Sequence, residues 1–210
     1  VSLFANCCQK TTKSVALGEE LRKVSVPEVR TERLVLRGWA DADRPAYAAI
    51  NADPNVMATI GPLQTRAQTD AAIDRMMANW AENGFGLWCV DLDGQSIGFT
   101  GLNRPWFEAA FTPCVEVGWR LSSAQWGHGY APEAGRAALD FGFDVVGLHE
   151  IVSFTAAVNH KSRRVMEKLG MARDRGADFD HPSVPKGDPL RPHVLYRLSA
   201  DQHCGVPSGS

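Results

Sequence analysis

Apolar and polar residues alternate one for one from Val115 to Leu121, with Val115, Val117, Trp119 and Leu121 interleaved by Glu116, Gly118 and Arg120. A period of two predicts a strand. Downstream the period lengthens: Ala134, Ala137, Ala138, Phe141 and Val145 recur at spacings of three and four, predicting a helix that turns Glu133, Arg136, Asp140 and Asp144 outward. The two elements are joined by WGHGYA, Trp126 to Ala131, with Pro132 just inside the helix. Neither Gly127 nor Gly129 has a Cβ to hold a ligand away from the backbone. The first N–H groups of a helix lack internal partners and carry about half a positive charge. The turn therefore reads either as a tight strand-to-helix connection or as a phosphate site built from main chain.

The same periods order the rest of the chain. TERLVLR, Thr31 to Arg37, predicts a first strand, and Asp41 or Asp43 offers an N-cap for a helix carrying Tyr47 and Ile50 that ends at Asp53 and Pro54. Thr65 opens a second helix whose stripe is Ile73, Met76, Met77 and Trp80, closed by Asn83 and Gly84. Gly86 to Asp91 and Ser96 to Leu102 form a hairpin around Asp93 and Gly94. The central strand and helix come next, then a strand from Glu150 to Thr155 and a short helix from His160 to Leu169 stopped by Gly170. Met171 to Arg175 and His193 to Leu198 read as a last pair of strands around a polar loop. This order fits an α+β fold in one domain, residues 27–199, with a leader over 1–26 and a flexible tail over 200–210.

Composition narrows the function. A formal charge of -2 gives no basic excess, so nucleic acid is a poor partner. No apolar run of about 18 residues predicts a membrane span. Five cysteines, an odd count without repeated spacing, argue against a disulfide framework and for a reducing, cytoplasmic setting. The histidines lack ligand spacing and no CxxC occurs, so the expected metal is none.

Four blocks together resemble the GNAT superfamily of acyl-CoA-dependent N-acetyltransferases, in its ribosomal-protein N-terminal acetyltransferase branch: TERLVLR, VEVGWRL (Val115 to Leu121), WGHGYAPEA (Trp126 to Ala134) and NHKSRRVMEKLGM (Asn159 to Met171). One departure is Trp126 at the first position of the family's (Q/R)xxGx(G/A) loop. The resemblance implies a mixed, mostly antiparallel sheet of about seven strands with helices on both faces, splayed between the fourth and fifth strands. It also implies that acetyl-CoA is the co-substrate. The backbone of Trp126, Gly127, His128, Gly129, Tyr130 and Ala131 would hold its pyrophosphate, and the pantetheine would lie along Val117, Trp119 and Leu121. Asn159 would meet that arm or hold the split open. Arg163 and Arg164 would reach the nucleotide phosphates or remain on a solvated helix face.

The implied chemistry needs a neutral amine. A lysine near 10.4 pays about 4.6 kcal/mol to lose its proton at pH 7, an α-amine near 7.7 to 8.0 only about 1. Glu116 is the candidate proton acceptor, through water, or else a salt-bridged strand carboxylate. Ser162 resembles the position that protonates the departing thiolate in some members, and it could equally cap the helix. Asp180, His181, His193 and Tyr196 are acceptor-side candidates, and Trp80, Phe85, Trp88, Trp106 and Phe107 are an aromatic group divided between core and acceptor cavity. The acceptor is expected to be a primary amine, on a protein N-terminus or a small molecule, attacked directly in a ternary complex. A non-catalytic acyl-CoA-binding module is the alternative; a Rossmann or P-loop enzyme fits less well, because GHGYAP is not GxGxxG and no GK(S/T) follows. Nothing in the sequence encodes oligomeric state, and a homodimer is kept open.

Overall fold

The computed structural model describes residues 26–204. Eight strands form one sheet: β1 (Val29–Arg30), β2 (Val35–Arg37), β3 (Leu87–Leu92), β4 (Gln95–Asn103), β5 (Glu116–Leu121), β6 (Glu150–Ala156), β7 (Ala172–Asp180) and β8 (Pro192–Ser199). Their spatial order is β1-β2-β3-β4-β5-β6-β8-β7. All neighbours are antiparallel except β5 and β6, which are parallel and share a single registered pair, Glu116 with Val152. Beyond that pair the two strands separate. The sheet is thus mixed and open where the splay was expected, and β1, a two-residue strand before TERL, adds one to the expected count.

Six helices accompany it: α1 (Arg44–Asn51), α2 (Pro54–Met57), α3 (Arg66–Asn83), α4 (Tyr130–Asp140), α5 (His160–Lys168) and α6 (Ala200–Cys204). Ala134, Ala137, Ala138 and Leu139 of α4 pack with Leu36, Trp88, Leu102 and Val117 on one side of the sheet. Tyr47 and Ile50 of α1, with Val56, Met57 and Ile73, pack on Cys89 on the other. Burial of these aliphatic and aromatic side chains, each worth about 1.5–3 kcal/mol, is what holds the layers together.

Local chemistry explains most boundaries. Thr65 accepts from the Gln68 N–H while the Gln68 side chain accepts from the Thr65 N–H, a capping box, and Gly84 ends α3 at φ 71°. Asp93 (φ 52°) and Gly94 (φ 80°) make the two-residue turn between β3 and β4.

Four readings need correction. Asp43 does not cap α1: its carboxylate accepts from the Ala40 N–H and from Arg37, so it serves a 3-10 turn over Asp41–Asp43 instead. Met77 is 48% exposed, since a helix of this length presents only Ile73 and Trp80 fully to the sheet. Val145 is 70% exposed because a π turn over Phe141–Val145 rotates the end of the stripe away from the core. β7 runs to Asp180, five residues beyond Arg175, and Ser199 leads into α6 rather than directly into an irregular tail. The expected leader, apart from Val26, and positions 205–210 of the expected tail lie outside the described residues.

Candidate active site

The separation of β5 from β6 opens a cleft through the sheet. On one side a cavity of about 540 Å³ lies between the WGHGYA loop, β5 and α5. On the other a cavity of about 300 Å³ lies over Glu116, Gly118, Phe99 and Phe154. Trp119, Arg120, Asn159 and Ser162 line both, so the two cavities meet at the split.

Strand geometry determines what faces that split. The Val115 carbonyl accepts from the Val152 N–H across the gap, while the Gly118 carbonyl accepts from Thr100 on β4. Main-chain groups alternate sides, so those of Val117 and Trp119 point toward β6; the registered pair of Glu116 with Val152 engages the Val117 N–H, and the strands part beyond it. The Leu121 carbonyl on the same edge accepts from Trp126 Nε1 at 3.1 Å, tying the start of the loop to the end of the strand. The Val117 side chain itself is fully buried in the core, leaving its backbone as the part that reaches the opening.

Gly127 and Gly129 have φ of 85° and 84°, the left-handed region that side chains disfavour. Among the described residues no acceptor is bonded to the N–H groups of Gly127, His128, Gly129, Tyr130 or Ala131. Five unpaired amides next to a helix N-terminus suit a diphosphate. The side chain of His128 is not part of the cavity wall; its ring stacks on Tyr130 at 5.6 Å, and its carbonyl accepts from Arg33 Nη1 at 2.9 Å.

Thr31 and Arg33 explain why TERL belongs to this site. The Glu133 carboxylate, in the first turn of α4, accepts from Thr31 Oγ1 (2.6 Å), the Arg33 N–H (2.9 Å) and Arg33 Nε (2.7 Å). Arg33 also lies 4.7 Å over the Tyr130 ring. Burial would raise the Glu133 carboxyl, but these donors outweigh it and hold it below its ordinary value. The strand expected over Thr31 to Arg37 covers only Val35–Arg37, and the loop is pinned from the turn that precedes it, about 100 residues away in sequence, because Thr31 and Arg33 spend their donors on Glu133.

Across the cavity α5 presents Lys161, Arg164 and Lys168. Lys161 Nζ sits 3.7 Å from the Trp126 ring centroid, a cation-π contact. Arg163 is different: its Nη1 donates to the Ala157 carbonyl at 3.2 Å, and it does not line the cleft. The 210-residue chain thus concentrates positive charge here despite its net -2. Alternation on α5 could have revealed Lys161 and Lys168, which are one turn either side of Arg164.

Asn159 caps α5, its Oδ1 accepting from the Ser162 N–H at 3.2 Å and its Nδ2 donating to Thr155 Oγ1 at 3.0 Å. Both ends of this amide are engaged by protein, so it braces the split. Ser162 contributes its N–H to the cap, and its side chain lies at the junction of the cavities. Glu116 is deep in the smaller cavity and has no ion pair, which rules out the salt-bridged alternative; burial alone pushes its carboxyl up to about 8.

Of the acceptor-side residues, His181 and His193 line the smaller cavity with ring centroids 4.9 Å apart. Burial lowers both imidazoles below their ordinary value. Asp180 is exposed and paired with Arg191 at 3.0 Å. Tyr196 is not at the site: it is 2% exposed, facing the core from β8, and its hydroxyl donates to Glu167 at 3.1 Å. Trp80, Phe85 and Trp88 are core, Trp106 is 79% exposed, and Phe107 packs with Phe154, Phe179 and His181 behind the cavity. Phe99, Phe154 and Arg120 were not singled out as site residues; the two-residue period, which puts Arg120 on the Glu116 face, was the signal available for it.

The comparisons with known proteins agree with this geometry. A family model described as "Acetyltransferase (GNAT) domain" matches residues 33–172. The uncharacterized N-acetyltransferase YnaD of Bacillus subtilis is 30% identical over 175 residues, 83% of this chain and 98% of that protein. FsC-acetyl coenzyme A-N(2)-transacetylase of Aspergillus fumigatus is 29% identical over 155 residues, 69% of this chain but 65% of the fungal protein. The crystal structure of an acetyltransferase from Agrobacterium tumefaciens is 35% identical and superposes with a TM-score of 0.67 over 83% of this chain and 95% of that one. The family model spans two thirds of the chain and the sequence and fold matches cover most of it, so the chain belongs to the GNAT superfamily of acetyl-CoA-dependent N-acetyltransferases.

Proposed function

We propose that this enzyme, of the ribosomal-protein N-terminal acetyltransferase-like branch, acetylates a primary amine, on a protein N-terminus or a small molecule, by direct attack on acetyl-CoA in a cytoplasmic ternary complex. The observation that carries the reading is the run of five unpaired amides from Gly127 to Ala131 at the mouth of a split that leads to Glu116. The diphosphate binds at those amides, opposite Lys161, Arg164 and Lys168. The pantetheine runs along the free edge of β5, exchanging hydrogen bonds with the Val117 and Trp119 main chain as an added strand would.

The neutral amine enters from the smaller cavity and forms the C–N bond at the thioester carbon. A β5 main-chain N–H faces the developing oxyanion. The amine's excess proton passes through water to the ionised Glu116, which must therefore be deprotonated before attack. The C–S bond then breaks, and Ser162 Oγ passes a proton to the departing thiolate while taking one from water, so that the hydroxyl is restored. His181 and His193 belong to the wall of the acceptor cavity rather than to the proton path.

The test is thiol release from acetyl-CoA with a panel of amines and peptides, run beside calorimetry with coenzyme A. Binding with amine-dependent release supports transfer. Binding without release from any acceptor favours the non-catalytic module, and no binding by folded protein overturns the site.

A further inference from the structure

Arg120 places a fixed positive charge inside the cleft without a counter-ion. It projects from β5 on the same face as Glu116 and lines both cavities. Its partners are neutral: Nη1 donates to Asn51 Oδ1 at 2.7 Å, and the guanidinium lies 5.8 Å from the Phe99 ring. Nε is sealed from solvent with no acceptor. Among the described residues no carboxylate lies within ion-pair distance of it, although twelve arginine–carboxylate pairs form elsewhere among them. A guanidinium cannot shed its proton, so an unpaired one in a cavity is costly unless something anionic arrives.

The position is built rather than incidental. Asn51 is fully buried, and its Nδ2 donates to the equally buried Thr69, so its oxygen is fixed toward Arg120. Gly118 stands between Arg120 and Glu116 on the shared face, leaving open space above the strand where any side chain would intrude. At about 3.3 Å per residue the two Cα atoms are about 13 Å apart. After both side chains reach inward, the interval fits a small molecule with unlike ends.

We propose that Arg120 binds a carboxylate on the acceptor, so that this cleft takes amino carboxylates, with the amine toward Glu116 and the acid toward the guanidinium. The inference rests on the transfer reading above and adds the acceptor's chemical class. It also disfavours polyamines, whose second cation would face Arg120 with no acid but Glu116 nearby.

The test compares phenylalanine, phenylalaninamide and phenethylamine as acceptors, with kcat/KM expressed per neutral amine to remove their different basicities. The acid should be preferred over both others by about 10- to 100-fold, the usual worth of a charged hydrogen bond. In Arg120→Gln that preference should fall to near one, with Arg120→Lys between. In parallel, calorimetry on the coenzyme A complex should detect N-acetylphenylalanine more tightly than its amide, again only with Arg120 present. Turnover of all three acceptors without preference overturns the inference and leaves transfer intact. Selective product binding without turnover retains Arg120's role and overturns transfer. Neither preference nor selective binding in wild-type protein overturns the inference without recourse to the variants.

Discussion

If Glu116 accepts the amine's proton, the pH profile of kcat/KM must show two ionisations where most amine transfers would show one. An α-amine near 7.7 to 8.0 has to be neutral, and a carboxyl held at about 8 has to be ionised. Below pH 7 each requirement costs a factor of about ten per unit, so log kcat/KM should rise with a slope of two. From pH 6 to 7 that is about a hundredfold gain. Glu116→Gln removes one ionisation, and the rise should shrink to about tenfold over the same unit. On the plateau above pH 9 the variant should still be slower by about 10²-fold, the lower end of what a general base contributes.

The same carboxyl supplies an independent check through stability. Its folded value lies above the unfolded value of 4.5, so folding binds a proton between pH 4.5 and about 8. The destabilising contribution is absent below pH 4.5, grows through that window and is complete above about 8. At 1.36 kcal/mol per pH unit the ceiling is about 4–5 kcal/mol, lowered by whatever water enters the cleft. Urea melts of the wild type should therefore weaken from pH 5 to 8.5 more than those of Glu116→Gln. A wild-type slope of one, coincident with the variant and within threefold of its rate, would refute the role of Glu116. A stability profile unchanged by the variant would refute the raised carboxyl itself.

Gly129→Ala places a Cβ 3.3 Å from Arg33 Nη2 at a φ of 84°, and should raise the KM for acetyl-CoA about tenfold with little change in the amine's KM. Glu133→Gln replaces one of the two oxygens that hold Thr31 and Arg33 with a donor and removes the charge, and the same KM should rise severalfold; in wild-type protein it should rise at acid pH as the depressed Glu133 carboxyl protonates. Asn51→Ala strips both Arg120 and Thr69 of a buried partner and should cost about 1–3 kcal/mol in chemical denaturation. Burial pushes the Cys89 and Cys114 thiols up to about 12 and about 11, so mass spectrometry after iodoacetamide at pH 7.5 should find both unmodified and activity should not depend on either.

Period and turn chemistry were enough to locate the central strand, the glycine loop and the cap at Thr65, because each depends on neighbours within a few residues. The errors arise where a distant partner decides. Val145 continues the three-and-four spacing of α4 in sequence, yet the π turn inserts its extra residue to let Gly142 pass Ile151 and Leu102, and no local rule announces that contact. Asp43 has the composition of an N-cap but is taken by Arg37, which joins it to Asp91 from a strand paired only in the folded sheet. Tyr196 follows the C-terminal loop that the resemblance places beside the acceptor, as His193 does; three residues along a strand reverses the face, and its ring points into the core.

Arg120 shows the opposite kind of omission. Its face was legible from the alternation that picked out Glu116, but its meaning depended on what it fails to meet. Sequence can place a cation on a strand; only coordinates reveal that Asn51 and Phe99, rather than an aspartate or glutamate, surround it. Elsewhere in this protein half-buried arginines meet carboxylates, Arg37 with Asp43 and Asp91 and Arg197 with Glu150 and Asp174, or donate to main-chain carbonyls, as Arg136 and Arg163 do. Those pairs stabilise the sheet's edges, where no ligand is needed. Arg120 differs from Arg136 and Arg163 in lining both cavities at the split, where an uncompensated charge is open to an anion that enters from outside.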